Sequence, residues 1–224
     1  MRSKSSSGRF LILVGAFLIV VALGYTGYNV WLQYKAGISA QNALNSLSEV
    51  AGSATSTLTS YGEGEEENAV SDEGDTPDYI LNPSMEMPEK IVDDVPYIGV
   101  LEIPALGLEL PVISETTYPY LEIAPCRFYG TAYMSNMVIG GHNYDTHFAN
   151  IDDLAEGEPI TFTDMDGNVF SYQVSHSEVI DPNADELLCD GSYPLTLYRC
   201  TTGGRARIMT RCEFVQVEID LPTE

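Results

Sequence analysis

Two short apolar runs joined by a pair of glycines set the tightest limit on how this chain can fold. The first, Leu195-Thr196-Leu197-Tyr198-Arg199-Cys200, reads as a strand that delivers a cysteine to its C-terminal end. Thr201-Thr202-Gly203-Gly204 is turn chemistry, and a second strand opens at Arg207 in Arg207-Ile208-Met209-Thr210-Arg211. If the two strands are neighbours, Cys200 and Arg207 sit side by side at one rim of a sheet. A guanidinium beside a thiol favours the thiolate and can hold a developing oxyanion. Upstream, Val138-Ile139-Gly140-Gly141-His142 brings a histidine to the end of another apolar strand. A cysteine, a histidine and an arginine, remote in sequence and each at a strand end, form the constellation of a cysteine acyl-transfer enzyme.

The 224 residues leave room for one folded domain with appendages. A net charge of −23 argues against nucleic acid, whose phosphates need a basic face, and against a polybasic contact with anionic lipid. A nucleophilic Cys200 must be free, which leaves Cys126, Cys189 and Cys212 with at most one disulfide. Their spacings contain no CxxC, so a structural zinc is not expected. His147 and Asp145 are two potential ligands without a third, and His176 has no motif around it. No metal or cofactor is called for.

The N-terminal end divides by composition. Residues 1–9 are a basic tail with Arg2, Lys4 and Arg9 among serines. Residues 10–23 are apolar apart from a glycine and extend less purely to Leu32, so 10–32 matches the ~20 residues of a membrane-spanning helix. Tyr25, Tyr28 and Trp31 suit the membrane interface, and the basic tail places the N-terminus in the cytoplasm. A cleaved signal peptide is the competing reading, with Ala22-Leu23-Gly24 as its cleavage site, but its apolar core would be shorter. The remainder then lies outside the cell, where disulfides are permitted.

Residues 33–95 are expected to be an extracellular linker. Leu44, Leu47 and Ala51 at helical spacing continue the helix for a few turns. Residues 61–94, with Glu65-Glu66-Glu67 and Asp72-Glu73-Gly74-Asp75, read as a disordered, self-repelling spacer. On that reading, a chain stripped of residues 1–94 is a soluble, active domain.

The folded domain is expected over 96–224. Strands are predicted at 97–104, at 106–113 (with Pro111 marking an edge or bend) and at 136–141. Residues 145–154 read as one short helix with Phe148, Ile151 and Leu154 on one side. Further strands follow at 159–163 and 169–174, joined by an Asp-Met-Asp-Gly turn, then at 178–180, 195–200 and 207–219. Residues 118–130 are compact and aromatic without a clear assignment. About eight short strands with little helix predict a closed β-barrel, since closure removes exposed strand edges. Arg205 and Arg211 share strand parity with Arg207, although Arg211 lies further from the loop. Cys212 has the opposite parity and reads as core or disulfide-bonded, with Cys126 or Cys189 as partner.

With these motifs in order, the domain resembles a sortase, the membrane-anchored cysteine transpeptidase of Gram-positive bacteria. The resemblance rests on Ile103-Pro104, Leu110-Pro111-Val112, Gly141-His142, Phe148-Ala149-Asn150-Ile151 leading to Gly157-Glu158, and Thr196 to Cys200 with Arg207. It covers roughly residues 97–219. It implies an eight-stranded barrel with one or two short helices. Cys200 would attack the Thr–Gly-type carbonyl of a sorting signal, and His142 would protonate the leaving amine and later deprotonate the acceptor. Arg207 would bind the signal's backbone and stabilise the oxyanion. The implied partners are surface proteins bearing a sorting signal and a cell-wall amine acceptor. Residues 175–194 resemble the loop that walls the substrate groove, and Asp181, Asp185, Glu186 and Asp190 in it either tune substrate choice or keep the loop solvated. Two departures stand out: Arg199 replaces the threonine before the cysteine, where it could alter recognition or depress the thiol pKa, and Glu158 replaces an aspartate. The competing functions are a pilin polymerase with a lysine acceptor, a thiol hydrolase, and a non-catalytic surface-binding barrel with a structural Cys200.

Overall fold

The computed structural model describes residues 6–56 and 76–215. Residues 61–75 of the spacer expected over 61–94, the first five residues of the basic tail and residues 216–219 of the final predicted strand lie outside the described residues.

The described residues build nine strands: β1 (Lys90–Val92), β2 (Val95–Ile103), β3 (Leu108–Ile113), β4 (Cys126–Tyr129), β5 (Met137–Gly141), β6 (Pro159–Asp164), β7 (Val169–Ile180), β8 (Leu195–Cys200) and β9 (Arg207–Phe214). The order β2-β3-β4-β5-β8-β9-β7-β6 is closed by an antiparallel β2–β6 pairing, giving the expected eight-stranded barrel. β1 pairs with the start of β2, Val92 opposite Val95, through a tight turn in which Asp93 and Asp94 both take positive φ. Alternation along the strands drives one face inward, as in β6, where Ile160 and Phe162 are buried between half-exposed threonines. The interior is filled by side chains such as Ile98, Leu101, Phe148, Phe162, Tyr172 and Leu197.

Three local expectations change. The eighth barrel strand is β4, drawn from the unassigned aromatic region, while 169–180 forms one long strand instead of two pieces. A bulge between Val174 and His176 breaks the two-residue alternation there, which is why the sequence pattern looked interrupted. Residues 145–154 form turns ending in a 3-10 turn, Ile151–Asp153, instead of an α-helix. Phe148, Ile151 and Leu154 are nonetheless all buried, because the apolar spacing serves a compact turn as well as a helix. Pro111 is accommodated because β3 meets β4 at one pair only, Ile113 with Cys126, so most of that edge carries no ladder to interrupt.

The linker expectation is corrected more strongly. Residues 76–95 are packed on the barrel: α2 (Asp78–Leu81) places Tyr79 against Tyr133 with ring centroids 4.7 Å apart, and Met87 is buried in the main core. The N-terminal helix, α1 (Ser6–Ser56), continues well past the predicted membrane end at Leu32. Its stretch from Phe10 to Leu47 is apolar enough to cross a membrane. Beyond residue 28 a stripe at helical spacing turns toward the barrel, with Ala36, Ala40, Ala43, Leu44 and Leu47 buried. Ala43 and Leu47 pack with Tyr97, Ile113 and Cys126. Two more single-turn helices complete the set, α3 (Tyr118–Leu121) and α4 (Asp185–Leu188).

Removing residues 1–94 therefore strips buried contacts instead of a spacer. Met87→Ala is expected to cost about 2–4 kcal/mol in chemical unfolding of the barrel, the range for losing a buried large side chain. A Met87→Ala variant as stable as the parent would return 76–94 to the role of linker.

Candidate active site

β5 and β8 run parallel, with Gly141 opposite Arg199, so each strand hands its next residue to the same rim of the barrel. Those residues are His142 and Cys200. β8 and β9 run antiparallel, and their last pair before the connecting loop is Cys200 opposite Arg207. The register thus gathers the three sequence-predicted side chains at one mouth. Cys200 is exposed and free, and it shares with His142 a cavity of about 370 Å³ that is also lined by Asn143, Tyr144 and residues 201–203.

Local chemistry fixes this arrangement. The 201–206 loop is tied by Thr201, whose Oγ1 accepts from the Ala206 N–H at 3.1 Å, while its N–H donates to the Ala206 carbonyl at 2.9 Å. Gly203 and Gly204 take φ of 82° and 67°, a region that side-chain-bearing residues resist. Asn143 Nδ2 donates to Thr202 Oγ1 at 3.1 Å, linking the histidine loop to the cysteine loop. The paired glycines before His142 answer to packing: a Cβ on Gly141 would stand 2.5 Å from the buried Phe148 ring.

The imidazole of His142 lies between Tyr118, edge-on at 5.8 Å, and Tyr144, at 4.8 Å. Burial lowers its pKa below the ordinary 6.5, against an opposing pull from Glu122. Its Nε2 is buried and has no hydrogen-bond partner among the described residues. A neutral ring with an unengaged nitrogen, lining the same cavity as a thiol, is of the type that accepts a thiol's proton.

Arg207 is half-buried, stacked 5.3 Å over Tyr198, and donates from Nη1 to Asp185 of α4. Arg205 is exposed in the loop, and Arg211 is buried on a different errand. It donates to Thr196 Oγ1 at 2.9 Å and to the Leu187 carbonyl, and pairs with Asp190 at 3.2 Å. Asp185 and Asp190 therefore clasp two barrel arginines, so these two loop acids do more than keep the loop solvated. Arg199, next to Cys200 in sequence, points the other way: it is buried and pairs with Asp152 at 2.7 Å. Strand alternation puts it on the opposite face from the thiol, so it takes no part in the mouth.

The remaining cysteines are unpaired. Cys212 is fully buried, with its thiol pKa raised by desolvation, and Cys126 is pushed up to about 12 chiefly by the same cause. Cys189 is half-buried in the loop. Sequence reasoning missed Tyr118 and Tyr144 as the walls of His142, Asp185 as the partner of Arg207, and the approach of α1 to this mouth. Tyr144 could have been suspected from its place two residues after the histidine; the others are brought close only by tertiary structure.

Gly141→Ala is expected to destabilise the fold by about 1–3 kcal/mol and to displace the histidine loop, because the new methyl overlaps a ring with no room to retreat. Chemical unfolding measures the first effect and loss of activity the second. An unperturbed variant would show that the glycine pair is not needed for close packing.

The comparisons with known proteins bear on the same residues. A sequence model of the Sortase domain matches residues 101–215, just over half of the chain. Among solved structures, a lid mutant of sortase A from Corynebacterium diphtheriae is 28% identical over 57% of this chain and 75% of that one, with a TM-score of 0.48. Sortase A from the same organism aligns over 90% of this chain and 98% of its own, at 24% identity and a TM-score of 0.47. A Clostridium perfringens sortase D5 transpeptidase is 24% identical over 54% of this chain and 79% of its own, with a TM-score of 0.46. No curated protein matches. With the Sortase domain spanning the strands that carry His142, Cys200 and Arg207, the chain belongs to the sortase family of cysteine transpeptidases.

Proposed function

We propose that this chain cleaves a peptide bond in a sorting signal through a thioester on Cys200 and passes the acyl group to a cell-wall amine. The observation that carries the reading is the cavity lined by both an exposed, unpaired Cys200 and His142, with Arg207 across the ladder from Cys200. A purely structural cysteine is more often buried, as Cys126 and Cys212 are.

The steps balance as follows. His142 Nε2 takes the Cys200 proton, leaving a thiolate beside an imidazolium. The thiolate attacks the scissile carbonyl carbon, and Arg207 holds the negative charge that develops on its oxygen. Collapse breaks the C–N bond, and the imidazolium gives its proton to the departing amine. In the second half an acceptor amine attacks the thioester, the C–S bond breaks, and the surplus proton returns through His142 to the thiol. One amide is exchanged for another, so no outside energy source is needed. To act, Arg207 keeps or exchanges its contact with Asp185, whose carboxylate orients the guanidinium fork. We place the basic end of α1 in the cytoplasm and the barrel outside, at the cell membrane, with 10–32 as the anchor.

Cys200→Ala is expected to abolish acyl-enzyme formation with a peptide library randomised around a Thr–Gly bond, scored by intact mass. His142→Ala should lower the rate by at least about a hundredfold, within the range for removing a general acid–base. Arg207→Lys should also be damaging because the planar fork is lost. Product analysis with and without an amine separates transfer from hydrolysis. A covalent adduct in Cys200→Ala would overturn the assignment.

The acid limb gives a second check. Protonation of His142 blocks its role as proton acceptor, and its pKa lies below 6.5. Acylation should therefore hold through pH 6.5 and fall only on further acidification. A limb centred above 6.5 would contradict a desolvated, neutral imidazole.

A further inference from the structure

The anchor helix does more than tether. Four of its residues, Tyr25, Asn29, Leu32 and Gln33, line the same cavity as Cys200 and His142. Asn29 and Gln33 are carboxamides one helical turn apart, each only half-exposed in a stretch otherwise dominated by exposed apolar and aromatic side chains. Neither side-chain carboxamide is hydrogen-bonded to another described residue. An amide side chain set beside a catalytic mouth and left without a partner has its donor and acceptor available to a ligand.

The spacing identifies the ligand class. Residues four apart on a helix are separated by about 6 Å along its axis. Alternate residues of an extended peptide repeat at about 6.6 Å. A carboxamide carries one carbonyl and one N–H₂, the same pairing set as a peptide group. Two of them at this interval match two successive same-facing peptide groups of an extended chain. Asn29 and Gln33 straddle the C-terminal end of the 10–32 anchor, where a membrane-spanning helix reaches the interface.

We propose that Asn29 and Gln33 form the fourth wall of the substrate site, pairing with the backbone of an extended peptide that crosses Cys200 at the membrane surface. The proposal rests on the acyl-transfer reading and adds two substrate-binding residues to it. The anchor helix is thus part of the site, and the peptide must enter between helix and barrel.

The test uses the full chain in lipid nanodiscs, with the peptide library randomised around a Thr–Gly bond as probe and the mass of the Cys200 adduct as readout. N29L combined with Q33L keeps the helix and removes the pairing groups. We expect the half-saturating peptide concentration to rise about tenfold, the effect of losing hydrogen bonds to a ligand, with a smaller fall in the saturating rate. N29Q with Q33N, which retains the carboxamides, should recover most of the binding. The rate of iodoacetamide labelling at Cys200 should change little in either variant, whereas a helix that merely shields or braces the site would change labelling and leave peptide affinity alone. Unchanged half-saturation in the leucine variant overturns the fourth wall and leaves acyl transfer standing. Failure of the parent chain to form any adduct overturns acyl transfer and this inference with it.

Discussion

The parallel pairing of β5 with β8 is the constraint from which the site follows. Parallel neighbours end at the same rim, so a histidine and a cysteine that each follow an apolar strand are brought to one mouth without any loop having to fold over. The antiparallel β8–β9 hairpin then sets Arg207 across from Cys200. Reversing β5 would send His142 to the far end of the barrel, away from Cys200. The gathering of these three side chains is a consequence of strand direction and register, and the loops refine it. The Asn143–Thr202 bond and the two positive-φ glycines trim the positions; they do not create the arrangement.

Charge is handled in pairs along these strands. Three arginines of β8 and β9 would be costly to bury alone, and each has an acid from outside its own strand: Arg199 with Asp152, Arg207 with Asp185, Arg211 with Asp190. Two of the three acids lie in the connection between β7 and β8. That loop is thereby held against the barrel by the same strand that presents Arg207. Its position and the setting of Arg207 are coupled, and a substrate that displaces Asp185 would act on both.

Much of this was legible in the chain. Strand ends ahead of His142 and Cys200, the glycine loop and the parity of Arg207 could be read because each is a local pattern with a period of two. The barrel followed from the number of short strands. What escaped were features that depend on contacts between distant segments. β4 lacked alternation long enough to register, β7 hid a bulge, and the turn at 145–154 buried the same side chains a helix would. Residues 76–94 looked like a spacer because acid and proline dominate their composition, yet Tyr79, Met85 and Met87 are enough to dock them. Arg199 was misjudged by proximity in sequence, where alternation should have sent it to the other face.

The most direct test of the central claim is the rate of Cys200 alkylation in the folded chain at one fixed pH near neutrality, compared with His142→Ala. If the imidazole draws the thiol proton, the parent reacts faster than the variant, while Cys126 and Cys212 stay unmodified until the barrel unfolds. Equal rates for parent and variant, or a Cys200 as inert as the buried thiols, would contradict a cysteine–histidine pair at this mouth.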